Sequence, residues 1–220
     1  MLLKEEIDMN ELRRLVEKGV APNERYLVWQ IYFGLISVKK RDRIKNREQL
    51  KQYYNTLLSK HYTNKKLEDI SSKLEKQIEV DCNRISILGY RLFENQEILK
   101  ILKRILYVWS KEFEEMGYFQ GIHEILAIIL FYYLYQYVEP PKNESNFTLL
   151  KDEFDNLELD CFFSLKNMIN WIFFDFGSTK EMVFSDGMIN QISSIMKSNS
   201  SINFLFAFIF FYQQFFFLLF

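Results

Sequence analysis

The chain has 220 residues, enough for one sizeable core and for one domain or at most two small ones. Its 28 basic and 29 acidic residues nearly cancel, which removes any global electrostatic case for nucleic acid or an anionic membrane surface. Seven Gly and three Pro give little turn punctuation, so long helices are expected, and the heavy use of Phe, Tyr, Ile, Lys and Asn reads as a coding bias without mechanistic content. Cys82 and Cys161 lie far apart and match no metal or redox spacing, the pattern of reduced cytosolic thiols. Met1-Leu2-Leu3 runs straight into Lys4-Glu5-Glu6, so no secretory signal is read at the start.

In chain order, Asn10 is placed to cap a helix reaching about Lys18, with Leu12, Leu15 and Val16 on one face and Gly19 at its end. Pro22 and Asn23 open a second helix carrying Tyr26, Trp29, Ile31, Phe33 and Leu35. The very polar stretch from Lys39 to Gln52 predicts that the third helix starts late, near Tyr53, Tyr54, Leu57 and Leu58. Leu67, Ile70, Leu74 and Ile78 recur at threes and fours, an amphipathic fourth helix. Asn95 caps a fifth with Ile98, Leu99, Leu102, Ile105, Leu106 and Trp109 on a broad apolar face. From Gly121 to Val138 the chain is apolar almost all round, which predicts a buried central helix stopped by Pro140-Pro141. A helix from about Leu157 to Phe173 follows, then a weaker one near Met188 to Lys197. No run alternates strictly, so the expected class is all-α, a multi-helix domain without a sheet.

Two short stretches carry the functional argument. Ile78-Glu79-Val80-Asp81-Cys82-Asn83-Arg84 reads I-x-x-D-x-x-R, and Tyr118-Phe119-Gln120-Gly121 reads Y-x-Q-G, with Gln120 lying 36 residues after Arg84 (120 − 84). Arg84 sits about 120° around a straight helix from Ile78 and so leaves the buried face. Asp81, three residues away, is close enough to pair with it or orient it. Alone, the stretch also reads as an exposed Arg with a helical acidic partner. Gln120 precedes Gly121 at the mouth of the apolar helix, where an amide can bond a water and a backbone group together. Alone, it also reads as a polar residue completing a helix N-terminus. Tyr118 reads as a packing residue with its hydroxyl satisfied by a neighbour, and His123 as packing or capping.

Together these stretches resemble the signature of the TBC-domain family of Rab GTPase-activating proteins. Arg25-Tyr26-Leu27-Val28-Trp29 is similar to the family's opening R-x-x-x-W helix, and Leu159 to Trp171 to the helix after the central one, so the likeness runs from about Pro22 to Phe176. Gly121-Ile122-His123-Glu124 stands where the family usually has G-M-N-D and looks like a subfamily with His-Glu there. Thr and Pro often follow the family's arginine, whereas Ile85-Ser86-Ile87 follows here, and no second helical half is found.

The resemblance implies a GTPase activator acting on a Rab-type small GTPase in vesicle trafficking, without a hydrolase site of its own. Arg84 and Gln120 would be the catalytic pair, Asp81, Tyr118, Gly121, Trp29 and Arg25 orienting or supporting residues. GTP and Mg²⁺ would belong to the partner; no resident metal or cofactor and no nucleic acid is implied. The competing readings are a non-catalytic helical module that binds a Rab or an adaptor, and a tail-anchored membrane protein. The expected organisation is a lead-in over 1–20, a TBC-like domain over 21–200 that is incomplete at its C-terminal end, and an apolar tail over 201–220. Residues Ile202 to Phe220 carry no charge across 19 positions and would just span a bilayer. A chain cut short or misjoined to non-coding sequence, a membrane anchor and a buried family helix all remain open for this tail. Localisation is expected to be cytoplasmic, at endomembranes if membrane-associated, either peripherally or through 202–220.

Overall fold

A computed structural model describes residues 4–16, 22–64, 72–85, 91–119, 121–134, 137 and 148–175. The class is all-α: among the described residues there is no strand, only one isolated antiparallel bridge between Glu6 and Lys39. Seven α-helices are labelled here: α1 (Met9–Val16), α2 (Pro22–Tyr32), α3 (Arg43–Leu58), α4 (Lys73–Asn83), α5 (Gln96–Glu112), α6 (Ile122–Leu134) and α7 (Lys151–Asp175).

Over the described residues the predicted order of helices is the observed one, with three local corrections. The second helix ends at Tyr32, so Phe33 and Leu35, expected on it, follow it through a turn in which Gly34 takes φ +69°. Asp8, not Asn10, caps α1: its Oδ1 accepts the backbone N–H groups of Asn10 at 2.7 Å and Glu11 at 3.3 Å. An acidic side chain at that position also meets the positive end of the helix. The third helix starts at Arg43, ten residues before Tyr53, behind a 3₁₀ turn over Lys40–Asp42. Its polar first half is helical because one of its charged side chains, Arg47, reaches into the interior, where it binds Asp160 and donates to Asn156 Oδ1 at 3.0 Å. The Asn95 cap holds as expected, its Oδ1 accepting from Glu97 N–H at 3.0 Å and Ile98 N–H at 3.3 Å. Leu67, Ile70, Pro140, Pro141, the 188–197 helix and the 202–220 tail lie outside the described residues.

Helix α6 is the centre of the molecule. Ile122, Leu126, Ala127, Ile129 and Leu130 are wholly buried, as a helix apolar on every side must be. Helices α2, α4, α5 and α7 all pack against it. A smaller cluster of Ile7, Leu12, Val28, Ile31 and Ile36 joins the N-terminal segment to the outer side of α2. Ile7 N–H donates to Val38 O at 3.1 Å and Lys40 N–H to Glu5 O at 2.8 Å, so this segment is tied by backbone as well as by side chains.

Two carboxylates are buried inside α7. Asp160 accepts from Tyr26 Oη at 2.7 Å, from Gln30 Nε2 at 2.9 Å and from Arg47. Burial pushes its carboxyl upward against the downward pull of Arg47. Glu158, two residues earlier on another side of the helix, accepts from Tyr54 Oη and Arg104 Nε, both at 2.6 Å. These clusters pin α7 to α2 and α3 through Asp160 and to α3 and α5 through Glu158. A buried charge so surrounded specifies one packing, because any slip would strand it.

Candidate functional site

Helix α4 buries Ile78 and Cys82 against α5 and α6 and ends at Asn83. Burial pushes the Cys82 thiol up to about 12, so it stays protonated and belongs to the core. Arg84, the C-cap, lies about 200° around the helix from Cys82 and is exposed. Its backbone N–H donates to the carbonyls of Asp81 (3.1 Å) and Cys82. Its guanidinium has no hydrogen bond or ion pair among the described residues. Val80, one turn earlier on the same stripe, is 45% exposed.

Asp81 does not pair with Arg84, the arrangement its spacing suggested. Its Oδ2 accepts from Tyr118 Oη at 2.9 Å instead. The physical reason is the cost of the alternative: a half-buried phenol without an acceptor loses more than an exposed ion pair returns. The two motifs, far apart in sequence, therefore meet through one charge-assisted bond. Tyr118 is accordingly pushed upward, first by burial and then by Asp81.

The segment carrying the second motif is held on both sides of Gln120. Phe119 stands edge-on to Trp109 with centroids 6.1 Å apart. Gly121 takes φ +99°, a region where a side chain is strained, and its carbonyl accepts the N–H groups of Glu124 (3.1 Å) and Ile125 (3.2 Å) to open α6. Gln120 itself lies outside the described residues.

Of the supporting residues, Trp29 stacks on Tyr132 at 5.4 Å, near the other end of α6. Ten residues of helix separate Tyr132 from Ile122, about 15 Å, so Trp29 braces the central helix and does not meet Arg84. Arg25 lies within α2, and its side chain is outside the described residues.

Sequence reasoning gave His123 no part in the site, yet it stands beside these groups. Its Nδ1 is 3.5 Å from Tyr118 Oη and its Nε2 is 3.9 Å from Glu124 Oε1. Burial lowers the His123 imidazole while Asp81 opposes that shift; burial and then Asp81 raise the Glu124 carboxyl. The available signal was an imidazole beside a carboxylate, His123 and Glu124, in the first turn of a helix that is apolar through its middle. No group of three or more His, Cys, Asp or Glu arranged to hold a metal is found among the described residues.

An arginine that is exposed at a helix end and unpaired among the described residues, with the neighbouring Asp81 bonded to Tyr118 on an all-helical scaffold, agrees with the class that comparison with known proteins shows. The chain belongs to the Rab-GTPase-TBC domain family, whose model matches residues 22–213. It is similar to human TBC1 domain family member 22B, 23% identical over 198 residues, covering 87% of this chain and 39% of that protein. The Schizosaccharomyces pombe GTPase-activating protein gyp1 is 26% identical over 171 residues, covering 76% of this chain and 33% of that protein. The fold matches the crystal structure of the Ypt/Rab-GAP domain of Gyp1p with a TM-score of 0.72 at 22% identity, over 88% of this chain and 60% of that one. The chain thus spans well under half the length of these two sequence relatives.

Proposed function

We propose that this domain accelerates GTP hydrolysis by a Rab-type small GTPase. Arg84 enters the partner's nucleotide site and neutralises charge developing on the transferred phosphoryl group. Gln120 orients the attacking water. Arginine suits the task because its charge is permanent and its planar fork can meet two phosphate oxygens together. GTP and Mg²⁺ are held by the partner. The observation that carries this reading lies at the end of α4: Asp81 is bonded to Tyr118, while the guanidinium three residues on is exposed and, among the described residues, unpaired. A group preorganised from its backbone and left free at its tip reorganises little on reaching a developing charge.

Single-turnover GTP hydrolysis with a panel of Rab proteins tests this. Acceleration that is lost in both Arg84→Ala and Gln120→Ala supports the two-residue mechanism. Rab binding without acceleration would favour the non-catalytic module instead.

The apolar tail calls for its own reading. The family match extends to residue 213 and so overlaps most of the stretch from 202 onward, which supports assigning that part to the helical domain rather than to an anchor. No helix among the described residues is long and apolar enough to cross a membrane. Release of the expressed protein by alkaline carbonate is the expected result, and retention in the pellet would refute it. The domain then works at the cytoplasmic face of endomembranes through its partner.

A further inference from the structure

We propose that His123 is a positioning residue for this activity: it holds the Tyr118 hydroxyl on Asp81 and so steadies the backbone from which Arg84 projects. This rests on the GTPase-activating reading above and adds to it a residue outside both motifs. The geometry leaves little choice of roles. Asp81 offers Tyr118 only acceptors when ionised, so the single phenolic proton points to Oδ2, 2.9 Å away. The phenolic oxygen then has lone pairs to offer, and His123 Nδ1 faces it at 3.5 Å. Only an Nδ1 bearing a proton complements that oxygen, which defines the tautomer the network requires. Nε2 is left without a proton, 3.9 Å from Glu124 Oε1 and beyond hydrogen-bond reach of it.

The imidazole is well placed to act as a stop. It is 6% exposed and sits between wholly buried Ile122 and 6%-exposed Ile125 at the first turn of the central helix. From there the path to the arginine is short. His123 bounds the phenol, the phenol bonds the Asp81 carboxylate, and the Asp81 carbonyl accepts the Arg84 N–H at 3.1 Å. A purely packing histidine would fill volume only; this one also decides where the hydroxyl of Tyr118 points.

Two substitutions in the full chain separate these roles. Leucine at 123 keeps the bulk and removes the donor, whereas asparagine loses bulk and returns an N–H near the Nδ1 position. Turnover at saturating GTP-loaded Rab should fall roughly three- to tenfold in His123→Leu, about 0.7–1.4 kcal/mol at 1.36 per decade, with little change in the Rab concentration for half-maximal rate. His123→Asn should recover most of that loss. Amide hydrogen exchange, read in the absence of any Rab, should quicken at Arg84 and Ile85 in His123→Leu but not in His123→Asn, while α5 amides stay as in the parent. Full activity and unchanged exchange in His123→Leu would overturn the proposal, as would equal losses in both variants, which mark a packing role. If the parent accelerates no Rab, the activating function itself is refuted. The exchange comparison then still decides whether His123 holds the Arg84 backbone.

Discussion

Tyr118→Phe removes one oxygen and with it the side-chain bond that joins the two motifs among the described residues. The ring keeps its packing, so the change removes the bond of 2.9 Å to Asp81 together with the 3.5 Å contact to His123 Nδ1. Hydrogen bonds to charged groups contribute about 1.5–3 kcal/mol, and a half-buried phenol belongs at the lower end, near 1.5 kcal/mol. For a chain of this size that corresponds to a fall in Tm of about 3–6 °C. The rate consequence comes by a separate route. Freed from Tyr118, the Asp81 carboxylate turns to water, and the last turn of α4, whose carbonyls hold the Arg84 N–H, loses its lateral tether. A loss of about 1.4 kcal/mol of transition-state stabilisation is then a tenfold slower turnover. Thermal unfolding and single-turnover hydrolysis, run on the same preparation, read the two effects. A variant that unfolds at the parent's temperature and turns over at the parent's rate would refute the link between the motifs. A variant destabilised as expected but fully active would confine Tyr118 to a structural role.

Other expectations follow from the same geometry. Arg84→Lys keeps the charge and loses the fork, so it should recover little of a rate contribution that is typically about 10³–10⁵, and single-turnover assays beside Arg84→Ala measure it. Arg47→Met strands the wholly buried Asp160 and should cost about 3 kcal/mol or more in urea unfolding, whereas the double change with Asp160→Asn should cost less than Arg47→Met alone. His123 has a folded-state pKa below its unfolded value of about 6.5, so the folded state binds fewer protons there. Its contribution is therefore full above about 6.5 and lost as pH falls through the folded value. Facing it, Asp81 opposes the shift, and Glu124, with a raised carboxyl, favours the fold on the acid side of its own titration. Urea unfolding across pH 4.5–7.5 should show the parent gaining stability with rising pH in a segment that His123→Asn flattens. Val80→Asp, on the stripe that carries Arg84, should raise the half-saturating Rab concentration with little loss of turnover at saturation.

What could be read from the chain alone, and what could not, follows from how far each interaction reaches. The all-helical class, the Asn95 cap and the burial of α6 rest on contacts within one helix or on its average apolarity, so periodicity and capping chemistry suffice. The late start given to α3 failed for the opposite reason. Its polar first half looks solvated when taken alone, and only the partner, Asp160, over a hundred residues away, explains why Arg47 turns inward. Of the two readings given for Asp81, pairing with Arg84 or orienting it, the pairing failed in the same manner on a smaller scale. A three-residue spacing offers Arg84 as the natural partner, but spacing cannot weigh an exposed ion pair against a half-buried phenol arriving from 37 residues downstream. Spacing along one helix thus brought out the exposed position of Arg84 but not the contact between Asp81 and Tyr118. That distinction matters for mechanism. A salt bridge to Asp81 would hold the guanidinium back, and reaching a phosphoryl group would mean breaking it. With Asp81 turned to Tyr118, the Arg84 charge is left free of that carboxylate, which suits the role proposed for Arg84 in a partner's nucleotide site better than a salt bridge would.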